Sequence, residues 1–341
     1  MMKKIVTFGE IMLRLAPPGY LRFVQTDQFE AVYGGGEANV AASLANFGMD
    51  ATFVTKLPKN EIGQAAINEL RKFGVCTEHI KRGGERIGIY FLEKGASQRA
   101  SKVVYDRANS AISEVVPGEF DWAAIFAGVD WFHFTGITPA LSPNAAAVCL
   151  EACKKAKEMG VKVSCDLNYR KNLWTTEEAG KCMAEIMPFV DLCIANEEDA
   201  EKVFAISAAN TNVTGGHLSH EDYKDVAKQL AERFGFTEVA ITLRESISAN
   251  DNNWAAMLYD GKDFHFSKKY PIHIVDRVGG GDSFGGGLIY AMLEGMNPQA
   301  CIEFAVAASC LKHSIEGDMN HVTVAEVKAL AGGDGSGRVL R

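Results

Sequence analysis

The sequence predicts an α/β fold in which helices cover both faces of a mostly parallel sheet, with a small β lid beside it. Along most of the chain, short β-branched runs alternate with amphipathic helical segments, a pattern typical of βαβ units. Two stretches interrupt this alternation with extended, strand-like residues, and they predict the lid. A glycine-rich run near residue 280 leads into an apolar helical pattern, which is typical of a ligand-binding helix start.

The alternation predicts the individual elements of the main sheet. The predicted strands are Ile5–Phe8, Thr52–Thr55, Trp131–Thr135, Val161–Leu167, Leu192–Ala195 and Val239–Leu243. The predicted helices are Glu37–Phe47, Ile62–Phe73, a segment from Pro143 with Ser142 as its N-cap and Gly160 as its stop, and a last helix with a capping box at Thr323 and Glu326. Parallel strands place their carboxyl ends at one edge, where α/β sheets bind ligands.

The same pattern divides the chain into two parts. We predict a main domain of residues 1–11, 34–82 and 109–341 and a lid of residues 12–33 and 83–108. Within the lid, Ile87–Leu92 and Lys102–Asp106 have the pattern of hairpin strands. A lid over the sheet edge would exclude water from a site there. The alternative is that these strands extend the main sheet as antiparallel edge strands, and periodicity does not separate the two.

Composition excludes several classes of function. The chain has 341 residues, enough for one large domain or two, and its formal charge of −8 comes from 35 basic and 43 acidic residues. Nucleic-acid surfaces and polybasic membrane anchors need an excess of basic residues, so we expect neither partner. No apolar run reaches the roughly 18 residues of a membrane span. Eight cysteines without a Cys-x-x-Cys pair indicate reduced thiols, and we expect a cytoplasmic protein.

The run with the clearest chemical meaning contains Gly279, Gly280 and Gly281, followed directly by Asp282. Glycines let the backbone approach a ligand closely, and a helix start directs N–H groups and partial positive charge toward an anion. A carboxylate beside such a site can accept the proton of a hydroxyl nucleophile while a phosphoryl group is held. This combination predicts phosphoryl transfer with Asp282 as the base.

Three other interpretations of this run have different support in the sequence. The chain has no Gly-Lys-Ser/Thr of a Walker A loop and no Gly-x-Gly-x-x-Gly after its first strand. Residues 281–285 match the Gly-x-Ser-x-Gly elbow of hydrolases around Ser283, and Asp318 and His321 follow in hydrolase order. A purely structural role, with glycines for helix packing, would not account for the acidic residue among them.

The glycine run resembles the carboxyl-terminal signature of the ribokinase (PfkB) family, Asp-Thr-x-Gly-Ala-Gly-Asp, and the resemblance covers nearly the whole chain. Residues 34–40 resemble the family's glycine motif, and Asn196-Glu-Glu-Asp199 resembles its Asn-x-x-Glu motif. The resemblance implies a ribokinase-like fold and a carbohydrate kinase. It also implies that Asp282 is the base and that the three glycines form the anion hole. Arg277 and Val278 replace small hydroxyl residues of the signature, and Gly280 replaces its alanine.

The resemblance also implies ATP and Mg²⁺ as ligands. The nucleotide contacts that it implies are Asn196, Thr242, Arg244, Ser246, Gly279, Gly281 and Ser309. Asp199 would act on the metal indirectly, through Mg-ATP.

Three further segments resemble the 2-keto-3-deoxygluconate kinases within this family: residues 88–90, 105–110 and 166–170. A sugar acid carries a carboxylate, which guanidinium groups bind well. The substrate contacts implied by the resemblance are Glu10, Gly34, Gly35, Asn39, Tyr90, Tyr105, Arg107, Arg170 and Asp282.

The function implied is phosphorylation of the terminal hydroxyl of 2-keto-3-deoxygluconate by ATP, giving 2-keto-3-deoxy-6-phosphogluconate and ADP. The alternatives are a kinase for a neutral sugar such as fructose or ribose, and a sugar-binding protein without catalysis. The sequence does not distinguish gluconate-type from galactonate-type acids. Relatives commonly pair through lid strands, so we expect a homo-oligomer.

Overall fold

The structure, a computed structural model, describes residues 2–207, 220–335 and 337. Its strands are β1 (Lys4–Phe8), β2 (Met12–Ala16), β3 (Glu30–Gly34), β4 (Asp50–Val54), β5 (Lys56–Leu57), β6 (Lys81–Arg82), β7 (Ile89–Glu93), β8 (Lys102–Asp106), β9 (Trp131–Thr135), β10 (Lys162–Asp166), β11 (Leu192–Asn196), β12 (Glu238–Ser246), β13 (Asp251–Tyr259), β14 (Phe264–Phe266) and β15 (Tyr270–His273). Its α-helices are α1 (Gly36–Asn46), α2 (Glu61–Lys72), α3 (Trp122–Ile125), α4 (Pro143–Glu158), α5 (Thr176–Ile186), α6 (Glu197–Phe204), α7 (His220–Phe234), α8 (Gly280–Leu293), α9 (Pro298–Lys312) and α10 (Val324–Ala331). Short 3-10 turns lie at Ala111–Glu114, Pro139–Leu141 and Met187–Phe189.

A nine-stranded sheet forms the centre of the molecule, in the order β14-β13-β12-β11-β10-β9-β1-β4, with β15 also paired to β13. The six strands from β12 to β4 are parallel, and β13 to β15 continue the sheet in antiparallel pairs. All six predicted strands are present. β12 extends three residues beyond its predicted end because it pairs along its whole length with β13.

Helices cover both faces of this sheet, as the sequence predicts. Successive strand residues point to opposite sides, so Ile5 packs into a core with α1, α2, α8, α9 and α10. Its neighbour Val6 packs into a second core with α3 to α7. The predicted caps are also confirmed, since the Ser142 hydroxyl accepts the Ala145 N–H at 3.1 Å and Thr323 forms a capping box with Glu326.

The small sheet is a separate four-stranded sheet in the order β3-β2-β7-β8. Its central strands β2 and β7 are parallel, and each outer strand pairs with them in antiparallel fashion. The alternative that these strands extend the main sheet is therefore wrong. Met12, Tyr90 and Leu92 form the small apolar core of this sheet. Every residue of its edge strand β8 is exposed.

The carboxyl ends of the parallel strands meet at one edge of the main sheet, and the small sheet faces that edge across a cavity. The side chains that end β10, β11 and β12 therefore lie opposite those of β7 and β8. Across the described part of the chain, no helix is both long and apolar enough to cross a membrane.

Candidate active site

A cavity of about 360 Å³ lies between the small sheet and the carboxyl edge of the main sheet. Most of the predicted site residues line it: Gly35, Asn39, Tyr90, Tyr105, Arg107, Arg170, Asn196, Asp199, Thr242, Arg244, Gly279, Gly281 and Asp282. A second cavity of about 950 Å³ continues outward beneath β8 and shares Tyr105, Arg107 and Arg170 with the first. Most of the predicted site residues therefore lie in one continuous cleft.

The three glycines ahead of Asp282 have different neighbours. Gly279 is the N-cap of α8 with φ of 81°, and a Cβ there would lie 1.9 Å from the carbonyl oxygen of Asp318. A Cβ on Gly280 would lie 2.5 Å from the His313 ring, whereas one on Gly281 would meet no atom within 4 Å. Packing therefore requires the first two glycines, and the third is open on the cavity side, where helix N–H groups can bind an anion.

Asp282 lies in the first turn of α8, where Asn39 Nδ2 donates a hydrogen bond to its Oδ2 at 2.7 Å. Burial raises the pKa of the Asp282 carboxyl to about 6, and the hydrogen bond from Asn39 opposes this rise. Asp318 raises this pKa further, while Arg170 and Lys312 lower it. A carboxyl with a pKa near the working pH is suited to accept a proton from a hydroxyl group.

Helix α1, which carries Asn39, is held in place by a buried glutamate. The carboxylate of Glu37 accepts hydrogen bonds from the Thr135 N–H at 2.9 Å, the Thr135 hydroxyl at 2.8 Å and the Thr138 hydroxyl at 2.7 Å. Burial raises the Glu37 pKa to about 7, although these hydrogen bonds oppose the rise. Sequence reasoning gave Glu37 no role, even though it lies within the glycine motif of residues 34–40.

Two more carboxylates, Asp166 and Asp199, line the cavity at the ends of β10 and β11. Asp199 accepts hydrogen bonds from the Tyr169 N–H at 3.0 Å and the Asn196 N–H at 3.3 Å, and Asn196 in turn caps α6. Burial raises the pKa of both carboxyls, and for Asp166 the charges of Asp199 and Asp282 add to the rise. The sequence places Asp166 in the segment of residues 166–170 but predicts no role for it.

These carboxylates fit a magnesium ion only as part of a nucleotide complex. Within residues 2–207, 220–335 and 337, no group of three or more His, Cys, Asp or Glu side chains could hold a metal ion. Mg²⁺ usually keeps several waters and takes one or two carboxylates together with phosphate oxygens. Asp166 and Asp199 line the same cavity as Gly279 and Gly281, and they fit that arrangement.

Arg107 on the small sheet forms a buried ion pair with Glu10, and the Ser110 hydroxyl donates to the other oxygen of Glu10 at 2.8 Å. The Arg107 guanidinium also lies 5.4 Å from the centre of the Tyr105 ring. Glu10 itself does not line the cavity. Glu10 therefore orients Arg107 from the side away from the cavity. The contact with a substrate that was predicted for both residues is open only to Arg107.

Sequence reasoning missed a second buried charge cluster. Arg14 donates to Asp318 at 2.7 Å and to Asp276 at 2.6 Å, and the Tyr90 hydroxyl donates to the other oxygen of Asp318. The two carboxylates raise the pKa of Arg14 although burial opposes them. Asp318 lines the cavity. The available signal was an arginine between two apolar residues, Leu13 and Leu15, of a short strand-like run.

Four other predicted residues lie outside the cavity wall: Gly34, Gly280, Ser246 and Ser309. The Ser309 hydroxyl is buried and donates to the Gly280 carbonyl at 2.7 Å, so it supports the glycine loop from below. A Cβ on Gly34 would overlap the Asp318 carboxylate, which accounts for a glycine there without a ligand. Ser246 is exposed at the end of β12.

The hydrolase interpretation is wrong. Ser283 is buried within α8 and accepts a hydrogen bond from Asn320 Nδ2 at 2.6 Å, so it is not a nucleophile exposed at a strand end. Asp318 is engaged by Arg14, and the His321 ring packs 4.9 Å from the Phe73 ring.

The glycine loop gives a matched pair of variants. Gly279→Ala places a Cβ against the Asp318 carbonyl, and it forces alanine into a left-handed backbone conformation. We therefore expect the free energy of unfolding to fall by at least about 2 kcal/mol. Gly281→Ala keeps its N–H and meets open space, so its stability should stay level or rise by up to about 1 kcal/mol. Urea unfolding followed by circular dichroism measures both, and equal losses would contradict this account of the loop.

Comparisons with known proteins agree with this geometry. A sequence model of the pfkB family carbohydrate kinases matches residues 2–323. The 2-dehydro-3-deoxygalactonokinase of Haloferax volcanii is 31% identical over 98% of each chain, and the 2-dehydro-3-deoxygluconokinase of Thermoproteus tenax is 27% identical over 93% of this chain and 90% of that one. The crystal structure of 2-dehydro-3-deoxygluconokinase from Thermotoga maritima is 56% identical, with a TM-score of 0.94 over 98% of this chain and 99% of that chain. The chain belongs to the pfkB family of carbohydrate kinases.

Proposed function

We propose that this protein transfers the terminal phosphoryl group of ATP to the terminal hydroxyl of 2-keto-3-deoxygluconate (2-dehydro-3-deoxygluconate). The products are 2-keto-3-deoxy-6-phosphogluconate and ADP. One observation carries the proposal: a single cleft holds a carboxyl of raised pKa beside a glycine helix start and also contains two arginines suited to a sugar acid. The names of the relatives from Thermotoga maritima and Thermoproteus tenax support the same substrate.

In this reaction Asp282 accepts the proton of the attacking hydroxyl. The N–H groups at the start of α8 then stabilise the negative charge on the transferred phosphoryl group. Asn39, hydrogen-bonded to Asp282, fixes the orientation of the carboxylate. The small sheet shields the hydroxyl from water, which would otherwise compete as acceptor.

The nucleotide would lie along the ends of β11 and β12, against Asn196, Thr242 and Arg244. Arg277 lies in the same wall, where burial lowers its pKa and the neighbouring positive charge of Arg244 lowers it further. Two arginines in this position suit the phosphates of ATP. Mg²⁺ bound with ATP neutralises phosphate charge, and Asp166 and Asp199 would hold it through water.

The carboxylate of the sugar acid would bind Arg107 and Arg170. The Arg170 side chain is exposed at the end of β10 and lines both cavities, so its guanidinium is accessible to a ligand. Tyr90 and Tyr105, whose ring centres lie 6.1 Å apart, would contact the carbon chain. Asp318 offers an acceptor for a sugar hydroxyl on the same side.

The proposal is tested by ADP release with Mg-ATP and a panel of acceptors: 2-keto-3-deoxygluconate, 2-keto-3-deoxygalactonate, gluconate, fructose, ribose and adenosine. We expect turnover on the keto-deoxy acids, with the gluconate form preferred. Turnover on a neutral sugar alone would be consistent with Asp282 as the base but would contradict the proposed roles of Arg107 and Arg170. A complete lack of turnover, with sugar binding retained, would favour the non-catalytic alternative.

Asp282→Asn removes the base, so we expect kcat to fall about a thousandfold while ATP binding, measured by calorimetry, stays within about twofold.

In the wild type, kcat/KM should rise with pH through about 6, because the carboxyl accepts a proton only in its ionised form. The raised pKa also means that ionisation of Asp282 lowers folding stability as the pH rises from about 4 through 6, so the Asn variant should be at least as heat-stable at pH 8. Near-normal turnover of the variant would disprove the role.

Arg170→Ala should raise KM for the sugar acid about tenfold, since a charged hydrogen bond is lost at an exposed position. Lys171→Ala is the matched control, because Lys171 lines only the outer cavity. Initial rates at saturating ATP measure both variants. An unchanged KM in the Arg170 variant would contradict the proposed carboxylate contact.

We also propose that the chain forms a homo-oligomer through its small sheet. β8 is an edge strand with every residue exposed, and Val104 has 53% of its surface exposed.

The eight cysteines, all unpaired, support a reducing compartment such as the cytoplasm.

Val104→Lys should abolish this association, because a charge would be buried between apposed strands. Val116→Lys, on a loop outside the small sheet, is the control. Size-exclusion chromatography with light scattering gives the mass. A wild-type monomer, or an oligomer that survives the Val104 change, would contradict the arrangement.

A further inference from the structure

Lys312, at the end of α9, is a fully buried lysine that contacts neither the sugar nor the nucleotide in the mechanism above. Burying an ammonium group is costly unless polar partners compensate for the lost water. Its Nζ donates to the Ile315 carbonyl at 3.1 Å, and within the described ranges no carboxylate lies in ion-pair range of it. A simple structural salt bridge therefore does not account for the residue.

The position of Lys312 indicates a different role. A Cβ on Gly279 would lie 3.2 Å from Lys312 Cε, so the lysine stem lies directly beneath the N-cap of α8. The same helical turn supports the rest of the loop. The Ser309 hydroxyl donates to the Gly280 carbonyl, and the His313 carbonyl accepts the Val275 N–H at 2.8 Å. The last turn of α9 thus forms the floor under the anion loop.

We propose that Lys312 is a positioning residue whose buried positive charge, fixed beneath Gly279, strengthens the positive potential of the loop, which acts on a bound phosphoryl group and on the Asp282 carboxylate in the same helix start. It acts through the loop and touches neither the sugar nor the nucleotide, since it does not line the cavity. The role of the loop in catalysis rests on the proposed function. The electrostatic effect of Lys312 on Asp282 is independent of that function.

Several charged groups besides Lys312 act on Asp282, and the test must separate them. They are Asp166 on β10, Arg170 after β10, and Asp318 after α9, while Asn39 on α1 donates a hydrogen bond. Burial lowers the pKa of Lys312, whereas the nearby carboxylates of Asp276, Asp318 and Asp282 raise it and the Arg14 charge lowers it. Burial lowers the pKa of His313, on the same turn, to about 4, so it is neutral near pH 7 and adds no second cation there.

The test replaces Lys312 with Met, which has a similar shape and no charge, and makes the same change at Lys328, an exposed residue of α10, as control. The carboxyl signal of Asp282 is followed by ¹³C NMR in protein labelled at aspartate and is assigned with Asp282→Asn. We expect its titration midpoint to rise by about 0.5 to 1 pH unit in Lys312→Met and to stay unchanged in Lys328→Met.

In the kinase assay, the acidic limb of kcat/KM should move by the same amount, and kcat should fall about tenfold with the KM for ATP unchanged. Thermal unfolding checks that the variant is folded. If Lys312→Met does not fold, Lys312→Gln keeps a donor for the Ile315 carbonyl and takes its place. An unchanged Asp282 midpoint in a folded variant overturns the proposal. If the Asp282 midpoint shifts but the wild-type protein phosphorylates no sugar, the proposal for Lys312 is supported and only the proposed function is rejected.

Discussion

The arrangement of the site depends on one buried guanidinium. Arg14, on the small sheet, binds Asp276 just before the glycine loop and Asp318 just after α9, and all three side chains are almost fully buried. Without Arg14, two carboxylates would remain in the interior with no direct ion-pair partner, which is strongly destabilising. The same contacts fix the small sheet against the two segments that hold Gly279 from either side. The shape of the cleft and the conformation of the loop are therefore coupled.

Around this ion cluster, the cleft keeps carboxyl groups in unfavourable surroundings. Burial raises the pKa values of Asp166, Asp199 and Asp282, and like charges add to the rise at each of them. Such groups lower folding stability when they ionise, and they cluster where ligands or chemistry use the charge. The hydrophobic cores on both faces of the sheet offset this loss of stability. Glu37 on α1 does not line the cavity, but it is another buried carboxyl of raised pKa, and hydroxyl groups take the place of a counter-ion there.

Local patterns predicted what local interactions determine. The six parallel strands, the caps at Ser142 and Thr323, and the glycine loop with Asp282 all follow from residue type and spacing within a few turns of chain. Pairings between distant segments did not follow. The interaction of Arg107 with Glu10 and the packing role of Ser309 depend on which segments meet in space, and no periodicity encodes that.

The ion pair between Arg14 and Asp318 joins residues that are 304 positions apart in the chain. At ordinary rates of translation, roughly 15 to 60 s separate the synthesis of these two residues. During that time β2 can pair with β3 and β7, but its arginine has no partner from α9 or the turn that follows it. The complete cleft therefore forms only after residue 318 has been synthesised. A protein truncated before residue 318 would keep every strand of the main sheet and still lack a complete site.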